Sequence, residues 1–465
     1  MAAANKQKPV TVGFVALGCP KNIVDSEKML AHIAKAGFVI TAEPDHADVV
    51  VINTCGFIAP AKAEALDAVR HALHCKTNGK VKKVIVAGCL PQRLGKELLD
   101  RAPGIDAIMG LGQRDNIAEI IKKTLLSETS SAFLGHFCGD VSDDRARLLI
   151  GPPHRAYLRI SEGCSHVCSF CTIPAIRGRF RSKSLQTVLD EATELACAGV
   201  VELNLIAQDT TSYGRDLKLK SGLTTLLTEL EKIPMLKWIR LMYAYPAAIT
   251  DELIETVASG EKILHYLDIP IQHVNDQVLK KMRRRDNNKS IRQLIERLRK
   301  KVPDIVLRTT LIVGFPGETK EQFTELLEFV DWAKFDCLGC FPYYPEAGTP
   351  AAQLPDQLPE QVKQQRLKEL MLAQQKIAFE KNKTRIGTKL TCLVDSVEQK
   401  KHRAKGRYYG QAPDIDSICI IKMGHHVGYP TVDCSAKPGQ FIEAMVSGTN
   451  EYDLIVEPIY PPRRI

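Results

Sequence analysis

Three short β-branched runs in the first 125 residues each end at a cysteine and lead into a helix-like stretch. The runs are VTVGFVALGC, DVVVINTC and KVIVAGC, which end at Cys19, Cys55 and Cys89. The stretches that follow them are VDSEKMLAHIAKAG, AKAEALDAVRHALH and GKELLDR. This alternation of strand and helix patterns predicts a parallel sheet covered by helices, an α/β fold.

The position of the three cysteines predicts a common site. Parallel strands joined by right-handed crossovers bring their carboxyl ends to one edge of the sheet, where α/β folds bind ligands. The alternative is plain core packing, because cysteine is often buried as a small apolar residue. Each cysteine occupies the same strand-end position beside a glycine. We therefore favour convergence of Cys19, Cys55 and Cys89 at that edge.

The cysteine content indicates metal binding or catalysis. The 465 residues include 14 cysteines, and the first ten residues, MAAANKQKPV, carry no apolar signal core. The apolar runs are too short to span a bilayer, so we expect a cytoplasmic protein with no membrane partner. Cytosolic thiols stay reduced, which argues against a disulfide scaffold. The formal charge of +9 fits a nucleoprotein partner, but no segment is a polybasic arm that would indicate direct nucleic-acid binding.

The rest of the chain predicts two further domains, since 465 residues exceed one core. Six strand-like runs alternate with helical stretches between about 155 and 345, which predicts an open, partial (β/α)6 barrel. The runs are AYLRIS, VELNLIAQD, WIRLMYAYP, LHYLDIPIQH, IVLRTTLIVGFP and CLGCFPYYP. A long charged helix is predicted after Pro355, and a small all-β barrel from residue 384. Residues 125–149 lack periodicity and are interpreted as a linker.

The segment EGCSHVCSFC places Cys164, Cys168 and Cys171 in a C-x3-C-x2-C pattern just after the run AYLRIS. Three thiolates on a Gly/Ser loop can hold one iron-sulfur cluster and leave one iron with an open coordination position. The alternatives are a packing stripe on a helix, or a zinc site completed by His166. The glycine, serines and histidine in this segment are not typical of a core helix. The pattern therefore favours an iron-sulfur cluster.

With this loop after the first strand of a partial barrel, the chain resembles the radical S-adenosylmethionine superfamily. Five motifs narrow the resemblance to its methylthiotransferases. They are LGCPKNIVDSE (17–27), NTCGF (53–57), AGCLPQR (87–93), CSHVCSFCTIPAIRGR (164–179) and IVGFPGET (312–319). The resemblance implies three domains with a linker at 125–149. They are an N-terminal auxiliary-cluster domain at 9–124, a radical core domain at 150–382 and an all-β, TRAM-like domain at 384–463.

The resemblance also implies two 4Fe-4S clusters and S-adenosylmethionine as cofactors. The ligands of the cluster that cleaves S-adenosylmethionine would be Cys164, Cys168 and Cys171. The ligands of an auxiliary cluster with its own open iron would be Cys19, Cys55 and Cys89. In this family one S-adenosylmethionine methylates a sulfur atom, and a second supplies a radical. The radical is needed because the target carbon is too weakly acidic for a general base to remove its hydrogen. An external electron donor and an external sulfur donor are implied as partners.

Within this family, four segments resemble the members that methylthiolate the β-carbon of an aspartate in ribosomal small-subunit protein twelve, uS12. They are RLMYAYP (240–246), LDIPIQH (267–273), APDID (412–416) and EYDLI (451–455). The chain departs from the pattern at Ser417, where glycine is expected, and at GHHVGYP (424–430), which resembles an insertion. The implied partners are uS12 or the small ribosomal subunit, with ribosomal RNA contact through the TRAM-like domain. The alternatives are a tRNA base methylthiotransferase and a non-catalytic iron-sulfur sensor that binds RNA.

The turn GFPGET follows the fifth barrel strand. Gly314 and Gly317 allow close approach of the backbone, and Thr319 with Gln322 predicts a capping box for the next helix. Two interpretations stay open at this point. The turn either contacts S-adenosylmethionine or is simply a tight connection.

Two basic segments and one cysteine pair complete the candidates. The stretch from Arg177 to Lys183 is interpreted first as a solvated face, and second as a contact from Arg177 to S-adenosylmethionine or an acidic substrate. KKHRAKGRYY (400–409) fits either ribosomal RNA contact or a solvated hairpin. Cys337 and Cys340 lie in a predicted strand, where residues three apart point to opposite faces, so a redox or metal role is the less favoured interpretation of this pair.

Overall fold

The structure is a computed structural model, and it describes residues 8–135, 141–398, 400, 402–423 and 436–459. The chain separates into two compact units. The first takes in the described residues up to 150, with 159–191 and 346–349; the second takes in 151–158, 192–345 and the described residues from 350 onward. Cys138, Cys434 and the GHHVGYP segment fall outside the described residues. No helix in the described ranges is both long and apolar enough to cross a membrane.

The first unit is built on a parallel sheet, as predicted. Its strands are β1 (Thr11–Ala16), β2 (Val39–Thr41), β3 (Val49–Thr54), β4 (Lys83–Gly88), β5 (Ala107–Met109) and β6 (Ser131–Phe133). They lie in the order β2-β1-β3-β4-β5-β6, and each neighbouring pair is parallel. The helices are α1 (Pro20–Lys35), α2 (Ala59–Thr77), α3 (Cys89–Leu94), α4 (Glu97–Arg101) and α5 (Ile117–Leu126).

The central strand β3 is buried along its whole length. Side chains alternate between the two faces of a strand, so Val50 and Ile52 pack in a core that includes α2, while Val49 and Val51 pack in a core that includes α1 and α5. Burial on both faces explains why this segment reads as a continuous apolar run. The short strand β6 lies within the predicted linker, which is therefore not wholly irregular.

The second unit contains the predicted open barrel. Its strands are β7 (Arg155–Arg159), β10 (Glu202–Ile206), β11 (Trp238–Leu241), β12 (Ile263–Asp268), β13 (Val306–Val313) and β14 (Cys337–Pro342). In the described residues they form one open sheet in the order β14-β13-β12-β11-β10-β7. All six match predicted runs. The helices of this unit are α8 (Gly222–Glu231), α9 (Asp251–Ser259), α10 (Asp276–Lys281), α11 (Asn288–Lys301) and α12 (Lys320–Ala333), and α7 (Leu185–Cys197) is divided between the two units.

The last region consists of a long helix and a small barrel, also as predicted. They are α13 (Glu360–Thr384), β15 (Lys389–Glu398), β16 (Arg403–Tyr408), β17 (Cys419–Lys422), β18 (Phe441–Asn450) and β19 (Asp453–Pro458). The described strands close in the order β15-β16-β17-β19-β18. Arg407 is buried and binds Glu202 of β10 through two hydrogen bonds of 3.0 and 2.7 Å. Part of the basic KKHRAKGRYY segment therefore packs inside the protein instead of facing a partner.

Candidate active site

The structure brings together the three strand-end cysteines of the first unit. Cys19 lies between β1 and α1, and its carbonyl accepts hydrogen bonds from the first turn of that helix. Cys55 follows β3, and Cys89 begins α3 directly after β4. Because β1, β3 and β4 are neighbouring parallel strands, the three residues share one sheet edge. Their placement agrees with the predicted convergence.

The glycines beside these cysteines allow the three loops to touch. A Cβ atom on Gly18 would lie 2.9 Å from the Cβ of Cys55, and one on Gly56 would lie 2.8 Å from the carbonyl oxygen of Cys89. Both approaches are closer than carbon side chains tolerate. Gly18 also has a φ of +94°, which disfavours any other residue.

The thiols influence one another electrostatically. Burial raises the pKa of Cys89 to about 12; the Arg177 charge opposes this rise, while Cys19 and Cys55 add to it. Burial also raises the pKa of Cys55, and Cys19 contributes to that rise. Without a metal, Cys55 and Cys89 therefore stay protonated at neutral pH, and a metal would have to displace their protons.

The second cysteine set lies on an irregular loop of the same unit. A two-stranded ribbon of β8 (Ser161–Glu162) and β9 (Arg181–Ser182) closes its base. The Cys164 amide donates to the carbonyl of Gly178 at 3.1 Å, and Cys171 Sγ accepts from the Ile173 amide at 3.4 Å. Residues 163–168 have no helical structure. The helix-stripe alternative is therefore wrong, because these cysteines do not share a helical face.

The two cysteine sets are neighbours within the first unit. Thr172, next to Cys171, donates to the carbonyl of Phe57 at 3.5 Å. The loop continues into α6 (Ile173–Arg177), where Ile176 packs against Cys89. The loop after β3, which carries Cys55, thus contacts the loop before α6, which carries Cys171.

The donor set of each cysteine trio fits an iron-sulfur cluster. Iron-sulfur clusters are held by cysteine thiolates, and each trio offers three of them. Three ligands would leave one iron of a cubane with an open position. The zinc alternative with His166 stays open.

Arg177 lies in this site with its side chain 2% exposed. One guanidinium nitrogen, Nη1, donates to both oxygens of Glu162 at 3.1 Å. The other, Nη2, donates to Asn22 at 2.6 Å and to Asp25 at 3.1 Å, and lies 3.4 Å from Cys89 Sγ. The prediction of a solvated basic face is therefore wrong for Arg177. A contact between Arg177 and S-adenosylmethionine stays a prediction.

Arg177 belongs to a buried network of alternating charges. Asp144 accepts from Arg114, Arg159 and Lys183 at 2.7 to 2.8 Å. Lys183 is also fully buried, against the solvated-face prediction, whereas Arg179 is exposed. The remaining members are Asp25, Glu162 and Glu191. Burial raises the pKa of Asp25, but Arg159, Arg177 and Arg114 together lower it to about 2.

The site residues predicted from sequence did not include Asn22, Asp25 or Glu162. A usable signal exists in α1, where Asn22 and Asp25 lie on the same buried face as Met29 and Ile33. Polar residues on an apolar helix face need partners, and such partners mark a buried polar site.

The turn GFPGET is a tight connection in the second unit. Thr319 and Gln322 form the predicted capping box at the start of α12. Gly314 and Gly317 have φ values of +73° and +70°, and a Cβ on Gly317 would lie 2.6 Å from Lys281 Nζ. The positive φ values account for both glycines without a ligand. Binding of S-adenosylmethionine by Gly314 and Gly317 stays a prediction.

Three family models match this chain. They are "Uncharacterized protein family UPF0004" at residues 11–110, "Radical SAM superfamily" at 158–330 and "TRAM domain" at 386–459. The described fold agrees with this division, since residues 386–459 include the closed β-barrel. The chain therefore combines a radical S-adenosylmethionine domain with a TRAM domain.

Full-length relatives carry one common name. A protein of Geobacter sulfurreducens named "Ribosomal protein uS12 methylthiotransferase RimO" is 45% identical over 96% of this chain and 98% of its own length. Proteins of the same name from Pelotomaculum thermopropionicum and Syntrophomonas wolfei are 44% and 42% identical over 97% and 96% of this chain, and 99% and 100% of their own lengths.

A solved structure supports the fold alone. The radical S-adenosylmethionine methyltransferase TsrM from Kitasatospora setae aligns with a TM-score of 0.55 over 84% of this chain and 79% of its own, at 13% identity. That structure contains a bound tryptophan substrate and a bound S-adenosylmethionine analogue.

Proposed function

The chain belongs to the RimO family of radical S-adenosylmethionine methylthiotransferases, and we propose that it methylthiolates the β-carbon of an aspartate in ribosomal protein uS12. The observation that carries this proposal is identity of 41 to 45% with relatives named as uS12 methylthiotransferases, over nearly the whole chain. The protein is an iron-sulfur enzyme that uses S-adenosylmethionine. The identity of the target residue and the stoichiometry are the proposed parts.

We assign the two cysteine sets to two 4Fe-4S clusters. The radical cluster would take Cys164, Cys168 and Cys171 as ligands. The auxiliary cluster would take Cys19, Cys55 and Cys89. When bound, these groups supply one-electron chemistry that can remove hydrogen from a carbon too weakly acidic for a side-chain base. Two molecules of S-adenosylmethionine are consumed per product, one as methyl donor and one as radical source.

The chain's own residues prepare this site in three ways. The β8–β9 ribbon fixes the base of the C-x3-C-x2-C loop through the Cys164 amide. The packing of Ile176 against Cys89 excludes water beside the buried thiol. The guanidinium of Arg177 places a positive charge next to Cys89, where three thiolates would otherwise concentrate negative charge.

The partners follow from the same proposal. The substrate is uS12, free or within the small ribosomal subunit, and the TRAM domain contacts ribosomal RNA. Arg403 and Lys405 of β16 keep side-chain exposures of 37% and 44%, so they remain available for such contact although Glu398 pairs with both. An external electron donor and an external sulfur donor complete the cycle.

The test compares cells that lack this gene with cells that carry the wild-type gene or a Cys168→Ala copy. Mass spectrometry is applied to ribosomal proteins and to tRNA from all three. We expect the methylthio group on the uS12 aspartate with the wild-type copy alone, and unchanged tRNA. Loss of a tRNA modification instead would mean that the enzyme performs methylthiolation but acts on tRNA and not on uS12. An unmodified aspartate in all three strains would refute the proposal.

A further inference from the structure

A second group of metal-ligating side chains lies on the first unit, apart from the cysteine site. Asp45 is in a short 3-10 helix, Pro44–His46, just before β3. His71 and Cys75 are one turn apart near the end of α2. His71 Nε2 lies 3.0 Å from both carboxylate oxygens of Asp45, and Cys75 Sγ lies 3.9 Å from the same nitrogen. One donor atom from each residue falls within 4.8 Å of the other two.

The 3.9 Å distance between Cys75 Sγ and His71 Nε2 is close to the spacing of two ligands around a single ion, whereas the 3.0 Å distances from His71 to Asp45 are those of a hydrogen bond that a bound ion would replace. Zinc binds nitrogen and oxygen at about 2.0–2.2 Å and sulfur at about 2.3 Å, which separates neighbouring tetrahedral ligands by about 3.3–3.8 Å. A combined thiolate, imidazole and carboxylate set suits zinc better than magnesium or calcium, which prefer oxygen alone. The thiolate and the carboxylate would also cancel the charge of a divalent cation.

The simpler interpretation is a surface ion pair next to a core cysteine. Exposed pairs such as Asp45–His71, with side chains 49% and 62% exposed, contribute little to stability. Cys75 does belong to an apolar core and is 7% exposed. However, its sulfur atom lies at the edge of that core, beside the imidazole. Plain core packing does not require the thiol to lie beside two polar groups.

We propose that Asp45, His71 and Cys75 bind one zinc ion, with water as the fourth ligand. The two exposed ligands give the ion a path from solvent, and the buried thiol anchors it. The site joins the segment before β3 to the end of α2. Since Cys55 lies at the opposite end of β3, about 20 Å away along the strand, the ion restrains the strand–helix pair that carries Cys55 without touching the cysteine site.

The test measures zinc in the purified holoenzyme with its clusters assembled. The protein is dialysed against a chelator-buffered zinc solution, and the bound zinc per chain is measured by inductively coupled plasma mass spectrometry. We expect one zinc per chain in the wild type and none in His71→Ala or Cys75→Ala. X-ray absorption spectroscopy at the zinc edge should show one sulfur ligand, with nitrogen and oxygen as the other ligands. Iron content checks that each variant keeps its clusters.

Two control variants make the result specific. His74→Ala removes a histidine of the same helix that contacts Asn78, and Cys197→Ala removes an exposed cysteine of α7. Both should retain one zinc. Equal zinc in all five proteins, or none in the wild type, overturns the proposal. Because the readout is zinc and not methylthiolation, this outcome is independent of the proposed substrate.

Discussion

Arg177 Nη2 lies 3.4 Å from Cys89 Sγ, so a guanidinium from the helix after the C-x3-C-x2-C loop reaches the thiol that follows β4. Glu162 and Asp25 hold the same side chain, which is almost fully buried. Net charge, hydrogen bonds to sulfur and solvent exposure set the potential of an iron-sulfur cluster. Arg177 would affect all three of these quantities for a cluster that Cys89 holds.

Replacing Arg177 with Met should lower the midpoint potential of the auxiliary cluster that we propose at Cys19, Cys55 and Cys89. Reduction adds negative charge, and the variant lacks the positive charge and the hydrogen-bond donor that stabilise it. Arg177→Lys keeps the charge but loses the planar fork, so its shift should be smaller. A redox titration of the holoenzyme, followed by electron paramagnetic resonance, measures both clusters. An unchanged auxiliary potential in both variants would contradict this role.

The same substitution should also destabilise the first unit. Arg177→Met leaves Glu162 and Asp25 without one of their buried cationic partners, and breaking such pairs costs about 3–5 kcal/mol. Chemical unfolding of the two variants should therefore place Arg177→Lys between Arg177→Met and the wild type. Equal stability of all three would show that the remaining network compensates.

The two cysteine sets should have separable activities. Cys55→Ala should keep reductive cleavage of S-adenosylmethionine and lose methylthiolation, because the radical ligands lie on another loop. Cys168→Ala should lose both. Under the proposed assignment of one cluster to each cysteine set, each variant should retain about half of the iron. Chromatography of cleavage products, mass spectrometry of a uS12 peptide and iron analysis supply the readouts. Loss of cleavage in Cys55→Ala, with its radical cluster intact, would refute this division.

Much of this arrangement could be predicted from sequence because it depends on local patterns. The cysteine-terminated runs predicted neighbouring strands, and the parallel topology then placed Cys19, Cys55 and Cys89 at one edge. The six strands of the open barrel and the closed C-terminal barrel could also be predicted from local patterns. Short edge strands such as β2 and β6 were missed, since three residues carry too little periodicity.

The charge network could not be predicted, because its members are far apart in sequence. Asp144 lies in the predicted linker, yet it binds Arg159 and Lys183 in the buried interior of the first unit. A basic stretch in sequence is usually solvated, and nothing local separates buried Arg177 from exposed Arg179. Tertiary contacts decide whether each of these arginines is buried or exposed.

Acidification should destabilise the second unit through His273. Burial, and to a lesser degree the charge of Arg366, lowers the pKa of His273 from 6.5 to about 3. The folded state therefore holds a neutral imidazole, and its contribution is complete above pH 6.5 and lost as pH falls toward 3. The free energy of unfolding should fall by about 1.4 kcal/mol per pH unit in this window, or about 2 kcal/mol at pH 5.

Urea unfolding at several pH values measures this slope, and tryptophan fluorescence reports the correct unit because Trp238 and Trp332 both lie in it. The Nδ1 of His273 accepts from the Asn275 amide at 3.0 Å. His273→Asn can keep that acceptor but does not titrate, so its stability should depend less on pH between 5 and 7. Parallel curves for the two proteins would exclude His273 as the source.

Gly163, directly before Cys164, should be essential for the radical cluster. Its φ is +77°, and an added Cβ would overlap the carbonyl of Arg179 in the opposite arm of the loop. Gly199 is a matched control, because its φ is +101° but no atom lies within 4 Å of an added Cβ. Gly199→Ala should cost about 1–2 kcal/mol of backbone strain and keep its iron. Gly163→Ala has the same strain plus the overlap, and should lose about half of the iron together with cleavage of S-adenosylmethionine. Iron analysis of both reconstituted proteins tests this prediction. Full iron in Gly163→Ala would mean that the two arms of the loop can move apart without loss of the cluster. The Cys164–Gly178 hydrogen bond would then not set the ligand geometry.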